Sequence, residues 1–203
     1  MWCVLTALRV CTTKRKSNNL VSNNYNTLPE NLPLPVDDGQ AAHLEGMNFP
    51  EVFFASTSGK DFSFSDDKFV LYVYPLTGQP NVALPDGWDE IPGARGCTPQ
   101  ACNFSENFLQ FKQLNTQVFG LSAQTTQYQQ ELKNRLHLPF DLLSDCDFLL
   151  KKALNLPTFK VGELVFYKRL TLIIEQNVII KVFYPVFPPN QHAAQVLDWL
   201  KSH

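Results

Sequence analysis

The stretch FVLYVYP, Phe69 to Pro75, constrains the fold more than any other part of the chain. Six apolar or aromatic residues follow one another without polar alternation, and a proline stops them. A strand of that pattern has both faces covered, which is the condition at the centre of an α/β sheet. The chain can supply such a core: of its 203 residues 44% are hydrophobic and 18% charged.

The flanking sequence predicts what packs on this strand. FPEVFFASTSGKDFSFSDDK, before it, predicts a strand, a turn at 58–60, a second strand and a short Ser/Asp turn. Residues 41–47 suit one helical turn. Residues 76–92 contain Gly78, Pro80, Pro85, Gly87 and Pro92 and predict a long loop, a length that marks an insertion or a functional element. Thr98 is a good N-cap and Pro99 a good first helical residue. Ala101, Phe104, Phe108 and Phe111 then follow at amphipathic helical spacing. A buried strand at 116–123, a polar helix at 125–136, a short strand, a short helix at 147–155, two or three strands and a last helix at about 190–202 complete the order. The prediction is an α/β protein with a central mixed β-sheet flanked by helices, a pattern that fits a thioredoxin-like fold.

The first 28 residues differ from the rest. They hold Arg9, Lys14, Arg15 and Lys16 and no acid, followed by the Asn-rich SNNLVSNNYN. This predicts a disordered or leader segment over 1–28 and one domain over 29–203, with an insertion at about 76–92. The basic cluster follows the apolar residues instead of preceding them, so a secretory signal fits poorly and an organellar transit peptide is the alternative to a plain tail. A cytoplasmic protein is the expectation, or an organellar one if 1–28 is a transit peptide. A formal net charge of −2 gives no electrostatic case for nucleic acid or a membrane surface. No apolar run reaches the roughly 20 residues of a membrane-spanning helix.

Five cysteines, at 3, 11, 97, 102 and 146, are too few and too irregular for a secreted disulfide scaffold. The four histidines are scattered, and no cluster has the spacing of a metal site. Cys97 precedes the predicted helix, where unpaired N–H groups and the helix dipole favour a thiolate. Cys102 lies five residues on. In an intact helix two such positions are about 7.5 Å apart along the axis and on divergent faces. A disulfide needs Cα atoms about 4.4–6.8 Å apart, so a permanent bond is disfavoured. A pair that closes only when the first turn unwinds is allowed, and so is a Cys102 that merely fills space.

Five pieces of sequence together resemble the peroxiredoxins, in their bacterioferritin-comigratory or Q-type group. They are VLYVYP (70–75), GCTPQACNF (96–104), VFGLSAQ (118–124), LPFDLLSD (138–145) and KRLTLII (168–174). The resemblance covers roughly 29–203 in the right order. It implies a thiol-dependent peroxidase that reduces hydrogen peroxide and organic hydroperoxides with no metal or organic cofactor. It implies that Cys97 is the peroxidatic cysteine, that Cys102 closes an intramolecular disulfide with it, and that Arg169 is the active-site arginine. Thioredoxin or a similar dithiol is the implied reductant, acting on a monomer or homodimer. Pro75 and Thr77 match the start of the family's active-site motif, but Ala94 stands where the family keeps a threonine or serine. Thr77 and Thr98 are the candidates for the missing hydroxyl. That departure, with the insertion, motivates a second expectation, a non-enzymatic redox sensor or partner-binding protein on the same fold. Cys146 has no implied role.

Overall fold

The computed structural model describes residues 27–62 and 68–203. The expected leader lies outside them except for Thr27 and Leu28, as do Cys3, Cys11 and the Ser/Asp turn. In chain order the elements are β1 (Phe54–Ser56), β2 (Asp61–Phe62), β3 (Phe69–Val73), α1 (Cys97–Glu106), α2 (Phe108–Gln113), β4 (Gln117–Ser122), α3 (Thr126–Leu136), β5 (Leu142–Ser144), α4 (Leu149–Leu154), β6 (Thr158–Val161), β7 (Leu164–Tyr167), β8 (Leu170–Glu175), β9 (Val178–Phe183) and α5 (His192–Ser202).

Seven strands form one sheet in the order β2-β1-β5-β4-β3-β8-β9. β3 runs parallel to β4 and antiparallel to β8, and β4 runs parallel to β5, so the sheet is mixed. Every residue of β3 is buried. Its alternate side chains serve two cores, as strand geometry requires. Val70 and Tyr72, with Tyr74 just beyond, face Ala101, Phe104, Phe111 and the α5 residues Val196 and Leu197. Phe69, Leu71 and Val73 face Leu44, Phe49, Leu150, Leu154 and Tyr167. Tyr72 stacks on Phe104 with ring centroids 4.5 Å apart, and Gly120 of β4 makes room for it, since a Cβ there would lie 2.6 Å from the Tyr72 hydroxyl. Truncating Phe104 to alanine is expected to cost about 3–5 kcal/mol.

Four details depart from expectation. Residues 41–47 form a succession of turns, with Ala42, Leu44 and Met47 each bonded three residues back. Helix α1 begins at Cys97 and is capped by Gly96, not Thr98. Gly96 adopts φ 101°, and a Cβ on it would lie 2.5 Å from Pro189 and 2.8 Å from Leu28. Only glycine suits that conformation and closeness. Pro99 then falls in the first turn, where its missing N–H removes no helical bond. The expected helix through Phe111 also breaks at Asn107, whose side-chain Nδ2 donates to the Asn103 carbonyl at 2.8 Å. Finally, the two or three strands expected after residue 158 are four. β6 and β7 pair in a separate ribbon, where Phe159 and Phe166 pack on Trp88 of the 76–92 loop.

Candidate active site

The site forms where the first turn of α1, the end of β3 and the start of β8 converge. Cys97 is the first residue of α1 and is 3% exposed. Its thiol donates to the Ala94 carbonyl at 3.6 Å and accepts from Arg169 Nη2 at 3.0 Å. Arg169 directly precedes β8 and is as deeply buried as Cys97. Its other acceptors are the carbonyls of Gly93 (3.2 Å), Ala94 (3.1 Å) and Arg95 (3.1 Å) and the Oε1 of Gln100. A guanidinium has five N–H donors in a planar fork, and here five acceptors surround it. Among the described residues no carboxylate forms an ion pair with it, so its positive charge falls on the sulfur and on the space above.

That space is a cavity of about 670 Å³ with Cys97, Thr98 and Pro99 at its base. Arg95 and Arg135 reach its walls, and the loop contributes Leu84 and Trp88. The geometry offers a buried thiol beside a fixed cation, lining a cavity and backed by an apolar core. Such a site suits attack by a sulfur nucleophile on a small neutral oxidant.

Residues 44–197 match the family described as Redoxin. The chain is 30% identical over 162 residues to "Peroxiredoxin Q, chloroplastic" of Suaeda salsa, covering 78% of this chain and 68% of that one. The chain belongs to the Q-type peroxiredoxins. It is also 29% identical to the chloroplastic peroxiredoxin Q of Arabidopsis thaliana, over 82% of this chain and 68% of the relative. The structure is similar to the peroxidoxin BcpB of Mycobacterium tuberculosis, with a TM-score of 0.65, 22% identity, and coverage of 79% of this chain and 98% of that one. A PrxQ structure from Xylella fastidiosa gives the same four values. These neighbours establish the thioredoxin-like fold. As a peroxiredoxin the protein is a thiol-dependent peroxidase, an oxidoreductase with a peroxide substrate and a thiol reductant.

Cys102 of this peroxiredoxin sits mid-helix in α1, half-buried and a free thiol like Cys97 and Cys146. Burial pushes its pKa up to about 11, with the Glu106 carboxylate adding to the effect and Arg135 opposing it. Pro75 is buried two residues beyond the end of β3. Thr77, one of two hydroxyls considered for the place left by Ala94, is occupied elsewhere. Its N–H and Oγ1 both donate to Gln124 Oε1, at 2.9 and 3.0 Å, and its carbonyl accepts from Gln124 Nε2. It anchors the start of the loop. Thr98, the other candidate, lines the cavity beside Cys97. Cys146 is exposed, 3.1 Å from the Ser144 hydroxyl.

Sequence reasoning passed over two buried polar residues, one in the site and one near it. Gln100, fully buried, holds Arg169 from one helical turn after Cys97. Its i+3 spacing puts it on the same face, a signal available in the sequence. His192 is also fully buried, at the start of α5. Its ring packs edge-on against Phe104 and Phe183. Burial draws its pKa down to about 4; the nearby Arg169 charge acts in the same direction, while a hydrogen bond with Gln195 opposes it.

Proposed function

We propose that Cys97 is the peroxidatic cysteine and Cys102 its resolving partner. The observation that carries this reading is the 3.0 Å contact between Arg169 Nη2 and the Cys97 sulfur at the base of the cavity. The Cys97 thiolate attacks the terminal oxygen of a hydroperoxide, the O–O bond breaks, and the alkoxide or hydroxide leaves and takes up a proton. Cys97 becomes a sulfenic acid. Cys102 then attacks that sulfur, water leaves, and a disulfide forms. A dithiol such as thioredoxin reduces the disulfide by exchange and returns two thiols.

Both cysteines lie in one ten-residue helix, so closure of the disulfide requires α1 to unwind. Resolution within one chain makes a monomer sufficient. The proposed catalytic unit is 29–203. Chloroplastic location, part of the names of the relatives from Suaeda salsa and Arabidopsis thaliana, together with the acid-free basic segment at 1–28, favours an organellar address over the cytoplasmic expectation.

The test is peroxide consumption with a dithiol donor, followed by mass spectrometry of the oxidised chain. The wild type should lose peroxide and show a Cys97–Cys102 disulfide. Undiminished consumption by Cys97→Ser would overturn the assignment.

A further inference from the structure

Hydrogen peroxide occupies little more space than one or two water molecules, at about 30 Å³ each in the liquid. The cavity over Cys97 is about 670 Å³, within the range of pockets that enclose drug-sized ligands. Its two side walls have different origins. One is Leu28 and Pro29, at the start of the described chain. The other is the 76–92 loop, which presents Leu76, Pro80, Val82, Leu84 and Trp88.

The loop wall is held in place without any substrate. At its start Thr77 is fixed to Gln124, and the Gly78 carbonyl accepts from Arg135 Nη2 at 3.1 Å. Further on, Trp88 is buried against Phe166 with ring centroids 5.0 Å apart. Just beyond the loop, the carbonyls of Gly93, Ala94 and Arg95 are gripped by Arg169. A wall fixed in this way is preorganised, so little ordering free energy is lost when a ligand lies against it. Val82 is nonetheless 52% exposed, leaving apolar surface uncovered at the mouth.

The charge on the rim is already matched. Arg95 pairs with Asp89 at 3.2 Å and Arg135 with Glu131 at 2.6 Å. The rim therefore makes no special demand for an anionic ligand, whereas the loop wall, apart from Gln79, is aliphatic and aromatic.

We propose that the 76–92 loop is a specificity wall, with Val82 and Leu84 holding the uncharged apolar body of an organic hydroperoxide while its –OOH end meets Cys97. This inference rests on the reading of Cys97 as the peroxidatic cysteine. The chemistry is unchanged: the sulfur takes the terminal oxygen and the body leaves as its alcohol. Hydrogen peroxide has no body to place on the wall and gains nothing from it. Contacts of this kind lower the barrier for one substrate relative to another, and a single misplaced methylene can change the ratio by tenfold or more.

The test compares second-order rate constants for oxidation of the full chain by cumene hydroperoxide and by hydrogen peroxide. The wild type is set against the double variant Val82→Ser, Leu84→Ser. The ratio of cumene hydroperoxide to hydrogen peroxide should fall by roughly tenfold, with a higher KM for cumene hydroperoxide. An unchanged ratio overturns the proposal. Should the double variant fail to fold, Val82→Ser alone changes a half-exposed side chain and must shift the ratio in the same direction; no shift again overturns it. Failure of the underlying reading has a different signature, in which Cys97→Ser consumes both peroxides as fast as the wild type, and the specificity wall then falls with it.

Discussion

Cys97 and Cys102 share one helix of ten residues, yet their surroundings oppose each other. Cys97, at the N-terminus, has a guanidinium at 3.0 Å, a cavity above it and no carboxylate among its described contacts. Cys102, a turn and a half later, is half-buried with the Glu106 carboxylate nearby, and its pKa is pushed up to about 11. One sulfur faces a guanidinium, and the other is held as a neutral thiol for as long as the helix is intact. The difference in surroundings is one of helix position, since the side chain is the same. On the proposed reading the contrast keeps Cys102 quiet until the turn between the two opens.

The strongest way to break the contrast is to remove the cation. Arg169→Met should slow oxidation of Cys97 by about 10²–10³-fold, the usual loss for one preorganised donor at a reacting centre. Stopped-flow mixing with peroxide measures it, and a change below fivefold would show that the helix terminus alone suffices.

A second measurement follows disulfide closure against pH. The attacking species is the thiolate, so closure should accelerate about tenfold per pH unit while Cys102 is protonated. The rise should flatten near pH 9, the ordinary thiol value, and not near 11. That outcome places the thiol outside its burial before it attacks. A rise that continues to pH 11 would mean that α1 stays wound in the resting sulfenic acid and opens only transiently for closure.

A third test concerns what holds the helix shut. His192 stays neutral in the fold down to about pH 4, whereas an unfolded chain protonates it from about 6.5. Its folded pKa is lowered, so its contribution is intact above pH 6.5 and is lost as pH falls toward 4, by about 3 kcal/mol in all. Urea midpoints at pH 7.5, 5.5 and 4.5 should show the decline, and His192→Phe should flatten it.

The smallest effect is expected at Asn103, whose Oδ1 accepts from the Ala193 N–H at 2.8 Å and ties α1 to α5. Asn103→Ala removes one hydrogen bond, about 1 kcal/mol. It should quicken disulfide closure several-fold and leave the first oxidation unaltered, as single-turnover kinetics would reveal.

Much of the frame around this contrast was legible in the sequence. The unbroken run of Phe69–Tyr74 identified the central strand because no other setting covers both faces. Motif resemblance singled out Cys97, Cys102 and Arg169 together, and two of these are in contact. The helix start was not legible, because Thr98-Pro99 is a good local cap and the competing claim of Gly96 comes from Pro189 and Leu28, remote in sequence. The acceptors around Arg169 include three main-chain carbonyls, which no side-chain pattern encodes. Thr77 matched a motif by position, but its hydroxyl direction is decided by Gln124, far along the chain. The β6–β7 ribbon was hard to separate because tight turns join four strands within a short span.

Gln100, which steadies Arg169, lies between the two cysteines in the chain. Any conformation that joins their sulfurs must reshape the turn that carries it. The oxidised enzyme would then lose part of its grip on the cation, and refolding of that single turn would restore sulfur and cation together. On that account each catalytic cycle contains a refractory interval, ended by the reductant, during which the protein ignores further peroxide.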